Sequence, residues 1–333
     1  MNFRHAVLSA CALFLTGADD PDLPEALASY VEDGEFDPGN FGYLRGYFSD
    51  ATEAEQGQFA EISQWSAACK RPATEAVIRR LAERGVDLAT DDRLLVSPVT
   101  CRQPTYIPVL PQEMTYSEFR RELDRVRPIY ETYLMAVGLA EDVGGTSSDD
   151  FGRALEQRTL ADQMTRHAQD WGHGVMATAP ELSPVGLAIL KARMGMETAR
   201  IDHANTEWLK AQVAKHGWPT ISDVGEEASL NAWLLAQHAD ADPVFQLDAL
   251  RLMEPLVAED EVSKQNYAYL YDRVMLKLTG QQRYATQFRC VDGGFVPEPM
   301  EDAAQVERLR RDMGLSTLEE YTQLMRDSSG RCG

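Results

Sequence analysis

The spacing of apolar residues changes once along the chain. Between residues 151 and 279, apolar side chains recur every three or four positions, which predicts successive amphipathic helices. From Gln282 the period becomes two, and Asp292-Gly293-Gly294 then supplies a turn. Residues 19–140 also carry amphipathic stretches. The pattern therefore predicts a mostly α-helical protein with a small β-hairpin near its C-terminus.

Capping residues divide this pattern into elements. Three helix starts are predicted, at Thr52 with Glu55, at Ser183 before Pro184, and at Ser316 with Glu319. A separate helix is predicted from Pro72 to Arg84. The run from Ser183 to about His216 is long, and Gly195 is a candidate break within it.

Residues 141–150, EDVGGTSSDD, combine acidic residues with Gly and Ser and predict a linker. On this basis the chain has an N-terminal helical domain over residues 19–140. A C-terminal helical domain follows over residues 151–333. A length of 333 residues is compatible with two domains.

The first 18 residues are typical of a secretory signal. Arg4 and His5 precede an apolar run over residues 6–15, which is too short to cross a bilayer. Export to the periplasm or the medium is therefore predicted. Cys11 lies in a lipoprotein-like context, so a lipid anchor is a second, less favoured interpretation. No later apolar run predicts a membrane span.

The cysteines agree with export. Once Cys11 is removed with the signal, an even number is left, which allows two disulfides in an oxidising compartment. The predicted pairs are Cys69–Cys101 and Cys290–Cys332, because each pair then stays within one predicted domain. Four unpaired thiols are the alternative.

The net charge of -21 argues against two classes of partner. An acidic surface repels nucleic-acid phosphates and anionic lipid headgroups. We therefore expect no nucleic acid as a partner, and a small molecule or peptide as the ligand. The chain contains no fingerprint of a zinc protease, a serine hydrolase or a nucleotide-binding loop. Neither a cofactor nor a metal is predicted.

His238 is the main candidate for chemistry. It lies in the last turn of a predicted helix and is followed by Asp240 and Asp242. Three interpretations stay open: a catalytic or ligand-binding histidine oriented by Asp240, a divalent-metal motif, and a helix-capping histidine. Asp242 precedes Pro243 and is favoured as a helix N-cap.

Further polar and aromatic residues surround this stretch. Gln237 shares a helix stripe with Leu230, Trp233 and Leu234, so its amide is predicted to be buried and to need partners. Other amides, Gln246, Gln282 and Gln287, are candidates to bond it. Candidate ligand-binding residues are Gln237, Trp218, Gln246, Asn266, Arg273 and Gln287. Each group also has a structural alternative. The amides could form a polar network that fixes the fold, Arg273 could lie on a solvated helix face, and Trp218 could serve packing.

Tyr284 is the remaining catalytic candidate, as an acid or hydrogen-bond donor near His238. The alternative is a packing residue on a strand. A pocket on which His238, Tyr284 and Gln287 converge would favour a functional site. Burial of all three residues with mutual hydrogen bonds and no cavity would favour a structural role.

Several segments together resemble an uncharacterised bacterial domain family. They are GWPTISDVGEEASLNAWLLAQHADADPVFQ, NYAYLYDRV, GQQRYATQF and PEPMED, within about residues 202–315. Ala236 and Ala285 stand where the family more often has Val and Gly. The resemblance implies that signature positions include Trp218, Gln237, His238, Asp240, Asp242, Asp272, Arg273, Tyr284 and Gln287. The family has no assigned activity, so the resemblance implies no reaction.

The leading hypothesis is an exported protein with a ligand-binding pocket around His238 that also allows catalysis. The rival is a non-enzymatic binding or interaction module whose polar residues are structural.

Overall fold

The computed structural model describes residues 22–145, 151–171 and 180–329. The signal segment and Cys11 lie outside these residues. The helices are α1 (Glu25–Ala28), α2 (Glu53–Glu83), α3 (Val99–Arg102), α4 (Tyr116–Gly145), α5 (Phe151–Gln169), α6 (Pro184–His216), α7 (Ile221–Val224), α8 (Glu226–His238), α9 (Pro243–Val257), α10 (Lys264–Thr279), α11 (Val306–Asp312) and α12 (Leu318–Ser329). Two small antiparallel sheets pair β1 (Val31–Glu32) with β2 (Glu35–Phe36) and β3 (Phe288–Val291) with β4 (Gly294–Pro297). The prediction of a mostly α-helical fold with a small hairpin is confirmed.

Two long helices are more continuous than predicted. α2 begins at the predicted Thr52 capping box but runs through Pro72 instead of restarting there. α6 begins after Ser183 as predicted and passes through Gly195 without a break. A Cβ on Gly195 would lie 2.6 Å from the ring of Tyr106, so glycine serves close packing here.

The buried apolar residues form two main cores. The larger core joins α8, α9 and α10 to Val77 and Leu81 of α2. The second core holds the N-terminal aromatic residues together with Ile189 and Leu190 of α6. Each core thus draws residues from both sides of the predicted linker. Residues 141–145 of that linker belong to α4, and 146–150 lie outside the described residues.

Within the described part of the chain, no helix combines the length and apolar character needed to cross a bilayer.

The hairpin begins later than the sequence pattern predicts. Residues 282–287 alternate like a strand but form a loop, and β3 starts at Phe288. The reason is Asp272 on α10. Its carboxylate accepts hydrogen bonds from the main-chain N–H groups of this segment, which are then not available to pair with a neighbouring strand. Ala285 has a φ of 53° in this loop.

The last helix also begins one residue away from its predicted cap. The predicted Ser316–Glu319 capping box is wrong. Instead, the Thr317 hydroxyl accepts from the N–H of Glu320, and the Glu320 carboxylate accepts from the N–H of Thr317. Both pairs have the same sequence spacing, so the pattern by itself did not distinguish them.

The predicted disulfide Cys69–Cys101 is confirmed, and it joins α2 to α3. The hydroxyl of Ser66 also donates to the carbonyl of Cys101 at 3.0 Å. α3 is therefore fixed against α2 by a covalent bond and a hydrogen bond. The second predicted pair includes Cys332, which lies outside the described residues.

Candidate functional site

His238 lines a cleft of about 410 Å³. Its walls are α2, α3, α6 and the turn between α8 and α9. We call it the His238 cleft, and its polar lining includes Arg80, Arg102, Asp202, His203, Lys210 and His238. The C-terminus of α8 positions His238, because the helix ends at that residue. A cleft of this size is within the range of small-molecule sites.

The ring of His238 is held by a buried carboxylate. Its Nδ1 lies 3.0 Å from each oxygen of Asp162 on α5, and Asp162 is fully buried. A carboxylate only accepts hydrogen bonds, so the Nδ1 hydrogen is assigned to this contact. In the neutral ring, Nε2 then carries the lone pair.

Arg166 connects this pair to a second carboxylate. Its guanidinium donates to Asp162 at 2.7 Å and to both oxygens of Asp202 at 2.9 Å. Gln163 donates to the other oxygen of Asp162 at 2.7 Å. The oxygens of Asp162 are therefore occupied by side-chain donors, while Asp202 also faces the cleft.

The pKa values of Asp162 and Asp202 are shifted in opposite directions. Burial raises the pKa of Asp162, but His238 and Arg166 more than offset burial and bring this pKa below its usual value. Burial also raises the pKa of Asp202. The positive charge of Arg166 opposes this rise, the negative charge of Asp162 adds to it, and the resulting pKa is about 7. One acid is held ionised and the other is poised near neutral pH.

Ligand atoms of Asp162, Asp202 and His238 all lie within 4.8 Å of one another, which is compatible with metal coordination. A divalent ion placed among them would have to displace Arg166, which already contacts both carboxylates. The donor set therefore fits an ion-pair network better than a metal centre.

The carboxylate of Asp240 does not contact the ring of His238, which it was predicted to orient; the main-chain N–H of Asp240 donates to the carbonyl of His238 at 2.8 Å. The carboxylate accepts from Arg273, from Lys277 at 2.9 Å and from Gln246 at 3.3 Å. Burial raises the pKa of Asp240, but the charges of Lys277 and Arg273 bring it far below its usual value. Arg273 is thus part of a half-buried ion pair and does not lie on a solvated face.

Asp242 acts as the predicted N-cap of α9. Its carboxylate accepts from the N–H of Phe245 at 3.0 Å and from Lys210 at 2.8 Å. Since Asp240 and Asp242 both have other partners, the structure does not bring the His-x-Asp-x-Asp residues together as one ligand set.

Gln237 is buried, as predicted, but its expected amide partners have other contacts. Its side-chain Oε1 has no hydrogen-bond partner among the described residues. Gln246 donates instead to the main-chain oxygens of Ala236 and Gln237, at 3.1 and 3.2 Å. Gln282 bonds to the main chain of Gln287 and Glu298. The amides therefore stabilise main-chain turns.

Tyr284 and Gln287 belong to residues 281–287, which we call the Asp272 loop. Tyr284 is buried, with its ring 5.6 Å from that of Tyr271. The side chain of Gln287 donates to the hydroxyl of Thr286 at 3.1 Å. Neither residue lines the His238 cleft. The arrangement thus matches neither of the two geometries expected for these three residues.

Trp218 and Asn266 line a second pocket, of about 330 Å³, together with Trp233 and Leu230. Trp218 is 5% exposed, and its indole N–H has no hydrogen-bond partner among the described residues. Leu230 is 44% exposed, although its stripe was predicted to face the core. α8 turns its small residues inward instead, including Ala228, Ala232 and Ala236.

The sequence pattern did not single out Asp162 or Arg166, and it indicated no role for Asp202. Asp162 and Arg166 are spaced i,i+4 on α5, which is a common solvated pattern and a weak signal. Asp162 precedes His238 by 76 positions, and no local motif connects them. Only the packing of α5 against α8 and α6 reveals the cluster.

Residues 177–332 match the model of a family of unknown function, DUF6624. The predicted resemblance of the C-terminal part to an uncharacterised domain family is therefore confirmed. The matched part contains His238, Asp202 and the Asp272 loop, but Asp162 and Arg166 precede it. No curated protein and no solved structure matches the chain.

Proposed function

We propose that this is an exported protein whose His238 cleft binds a small molecule and exchanges a proton with it through His238. The observation that carries the proposal is the contact between Nδ1 of His238 and the buried carboxylate of Asp162. Among the residues that the structure describes, none hydrogen-bonds to Nε2. The ring is thus oriented at one nitrogen and available at the other.

The chemistry follows from these two nitrogens. Nε2 accepts a proton from a bound molecule, and the positive charge that forms on the ring is stabilised by Asp162. Asp202 faces the same cleft, and a pKa of about 7 would let it exchange a proton near neutral pH. The pair would supply a base and an acid at one cleft.

A non-catalytic binding module is the second candidate. The observation in its favour is Arg166, which neutralises both carboxylates in the present arrangement. In that case His238 contacts the ligand through a hydrogen bond and transfers no proton. A catalytic His238 predicts a pH-dependent rate, whereas a binding module predicts saturable binding without turnover.

Export is supported by the signal-like segment at residues 1–18 and by the Cys69–Cys101 disulfide, which suits an oxidising compartment. The intact mass of the protein recovered from cell fractions tests this part. Export predicts a chain in the periplasm or the medium that is shorter by the signal, and a full-length cytosolic chain would contradict it.

The pocket is tested by thermal-shift screening of a small-molecule library against the wild type. Each hit is then measured with H238Q and D162N. We expect hits that bind the cleft to bind H238Q at least about ten-fold more weakly, equivalent to about 1.4 kcal/mol. D162N should weaken them less, because the ring stays but loses its orientation.

The matched control is H167Q, which changes an exposed histidine of α5 that does not line the cleft. It should leave affinities nearly unchanged. Hits that bind H238Q and the wild type equally well would contradict the proposal that the His238 cleft is the binding site. Turnover of any hit is then followed against pH.

A further inference from the structure

Two arginines on one wall of the His238 cleft have no carboxylate partner in the described structure. They are Arg80 on α2 and Arg102 on α3. Lys210, in the same cleft, is already paired with Glu207 and Asp242. The protein has 53 acidic and 32 basic residues, yet no carboxylate among the residues that the structure describes pairs with these two guanidinium groups.

This wall is held in a fixed position. Arg102 follows Cys101, whose disulfide to Cys69 fastens α3 onto α2. The guanidinium of Arg102 lies 5.9 Å from the ring of Tyr106, and the side chain is half-buried. Lys70 extends the same basic wall, because it lines a small adjoining pocket that also includes Arg102. A site fixed in this way loses less conformational entropy on binding.

The part of the lining that includes Asp202 and His238 has the reverse character. Asp202 on α6 faces the cleft, and the fully buried Asp162 lies behind His238. An anion placed against that part would be repelled whenever Asp202 is ionised. An anion placed against α2 and α3 would meet two unpaired guanidinium groups, whose planar forks match carboxylate and phosphate oxygens. The charges therefore set an orientation for a ligand.

We propose that the ligand of the His238 cleft carries a carboxylate or phosphate group, bound by Arg102 and Arg80, with its reacting end toward His238. This proposal rests on the proposed function only in assuming that the cleft takes a small molecule. It adds the chemical class of that molecule and the direction in which it lies.

The test uses the full mature chain and two simple anions, inorganic phosphate and succinate. Calorimetric titration at low ionic strength is made with the wild type, R102Q, R80Q and R79Q. Arg79 is the matched control, because it neighbours Arg80 on α2 and is exposed but does not line the cleft. A preference for phosphate or for succinate identifies which group the ligand carries.

We expect one anion to bind the wild type and R102Q to bind it at least about ten-fold more weakly, equivalent to about 1.4 kcal/mol. R80Q should lose less, since Arg80 is exposed, and R79Q should match the wild type. Should R102Q fold poorly, R102K serves instead, and it should still weaken binding because it lacks the fork.

Three results would overturn the proposal: no binding of either anion at about 10 mM, well above ordinary site affinities, equal binding by R102Q and the wild type, or an equal loss in R79Q. H238Q separates this inference from the proposed function. Anion binding that survives H238Q supports the basic wall even if no proton transfer occurs. Screening hits that are lost in H238Q but unchanged in R102Q support the histidine and reject the anion.

Discussion

Asp162 and Asp272 are both fully buried carboxylates, and they differ in what surrounds them. The donors to Asp272 come from one loop: the N–H groups of Arg283, Tyr284 and Thr286, and the hydroxyl of Thr286. The donors to Asp162 are side chains from two helices, α5 and α8.

This difference separates a carboxylate that fixes a loop from one whose partners can move. Main-chain donors cannot move without changing the fold, so Asp272 holds a loop in place. Side-chain donors such as His238 and Arg166 can reorient while the helices stay packed, and His238 also lines a cleft. Burial of a charged group therefore says little about function until its partners are known.

The largest expected effect on stability is for the loss of the Asp272 carboxylate. D272A removes the acceptor for three main-chain N–H groups and a hydroxyl, so we expect the free energy of unfolding to fall by about 3–5 kcal/mol. Urea unfolding measures it. D260N is the control, because that carboxylate is exposed and its pair with Lys264 is worth at most about 1 kcal/mol. A small change in D272A would remove the contrast between the two sites.

D240N tests whether the ion pairs beside His238 are also structural. It leaves the guanidinium of Arg273 and the buried ammonium of Lys277 without a carboxylate. We expect a loss of about 2–3 kcal/mol, which is typical of a hydrogen-bonded charge. Chemical denaturation checks the loss. A variant as stable as the wild type would mean that Gln246 and the Asp240 main chain satisfy Lys277 unaided.

D202N tests the acid that faces the cleft. The folded-state pKa of Asp202 is about 7, above the ordinary 3.8, so between these values the folded state binds more protons than the unfolded state. Stability due to Asp202 is present at low pH and is lost as pH rises toward 7. Relative to the wild type, D202N should therefore gain up to about 1.4 kcal/mol per pH unit across this window. Unfolding curves at several pH values measure the slope, and a pH-independent difference would contradict the raised pKa.

The smallest effect on stability is expected for H238Q. Asp162 keeps its contacts with Arg166 and Gln163, so only one hydrogen bond of about 1 kcal/mol is lost. The melting temperature checks this. A loss of stability as large as that of D272A would mean that His238 is a structural residue. The main observation in favour of a functional cleft would then be removed.

Local features of the fold were accessible from the sequence, and distant pairings were not. The Thr52 capping box, the Asp242 N-cap and the Cys69–Cys101 disulfide follow from short-range patterns or from counting. The continuity of α6 through Gly195 was missed, because the reason is a tyrosine ring that packs against it from residue 106. Contacts of this kind leave no periodic trace.

The same limit applies to the site. His238 was found because it lies in a polar corner between two helices, but the nearest carboxylate in sequence, Asp240, is not its partner. At the C-terminus of α8 the chain turns, and Asp240 meets Arg273 and Lys277 on α10. Asp162 takes its place from α5, a helix whose mixed composition gave no reason to single it out. Proximity in sequence was therefore a poor guide to proximity in space.

The position of α5 ahead of the family match has a consequence for inheritance. Residues 177–332 carry the imidazole, whereas its carboxylate is supplied by a preceding segment. A chain that shares the matched residues but joins them to a different leading helix would keep the imidazole without the carboxylate that orients it. Such chains would resemble one another along the matched part and still differ in how the imidazole is held, because the helix that precedes the match would differ.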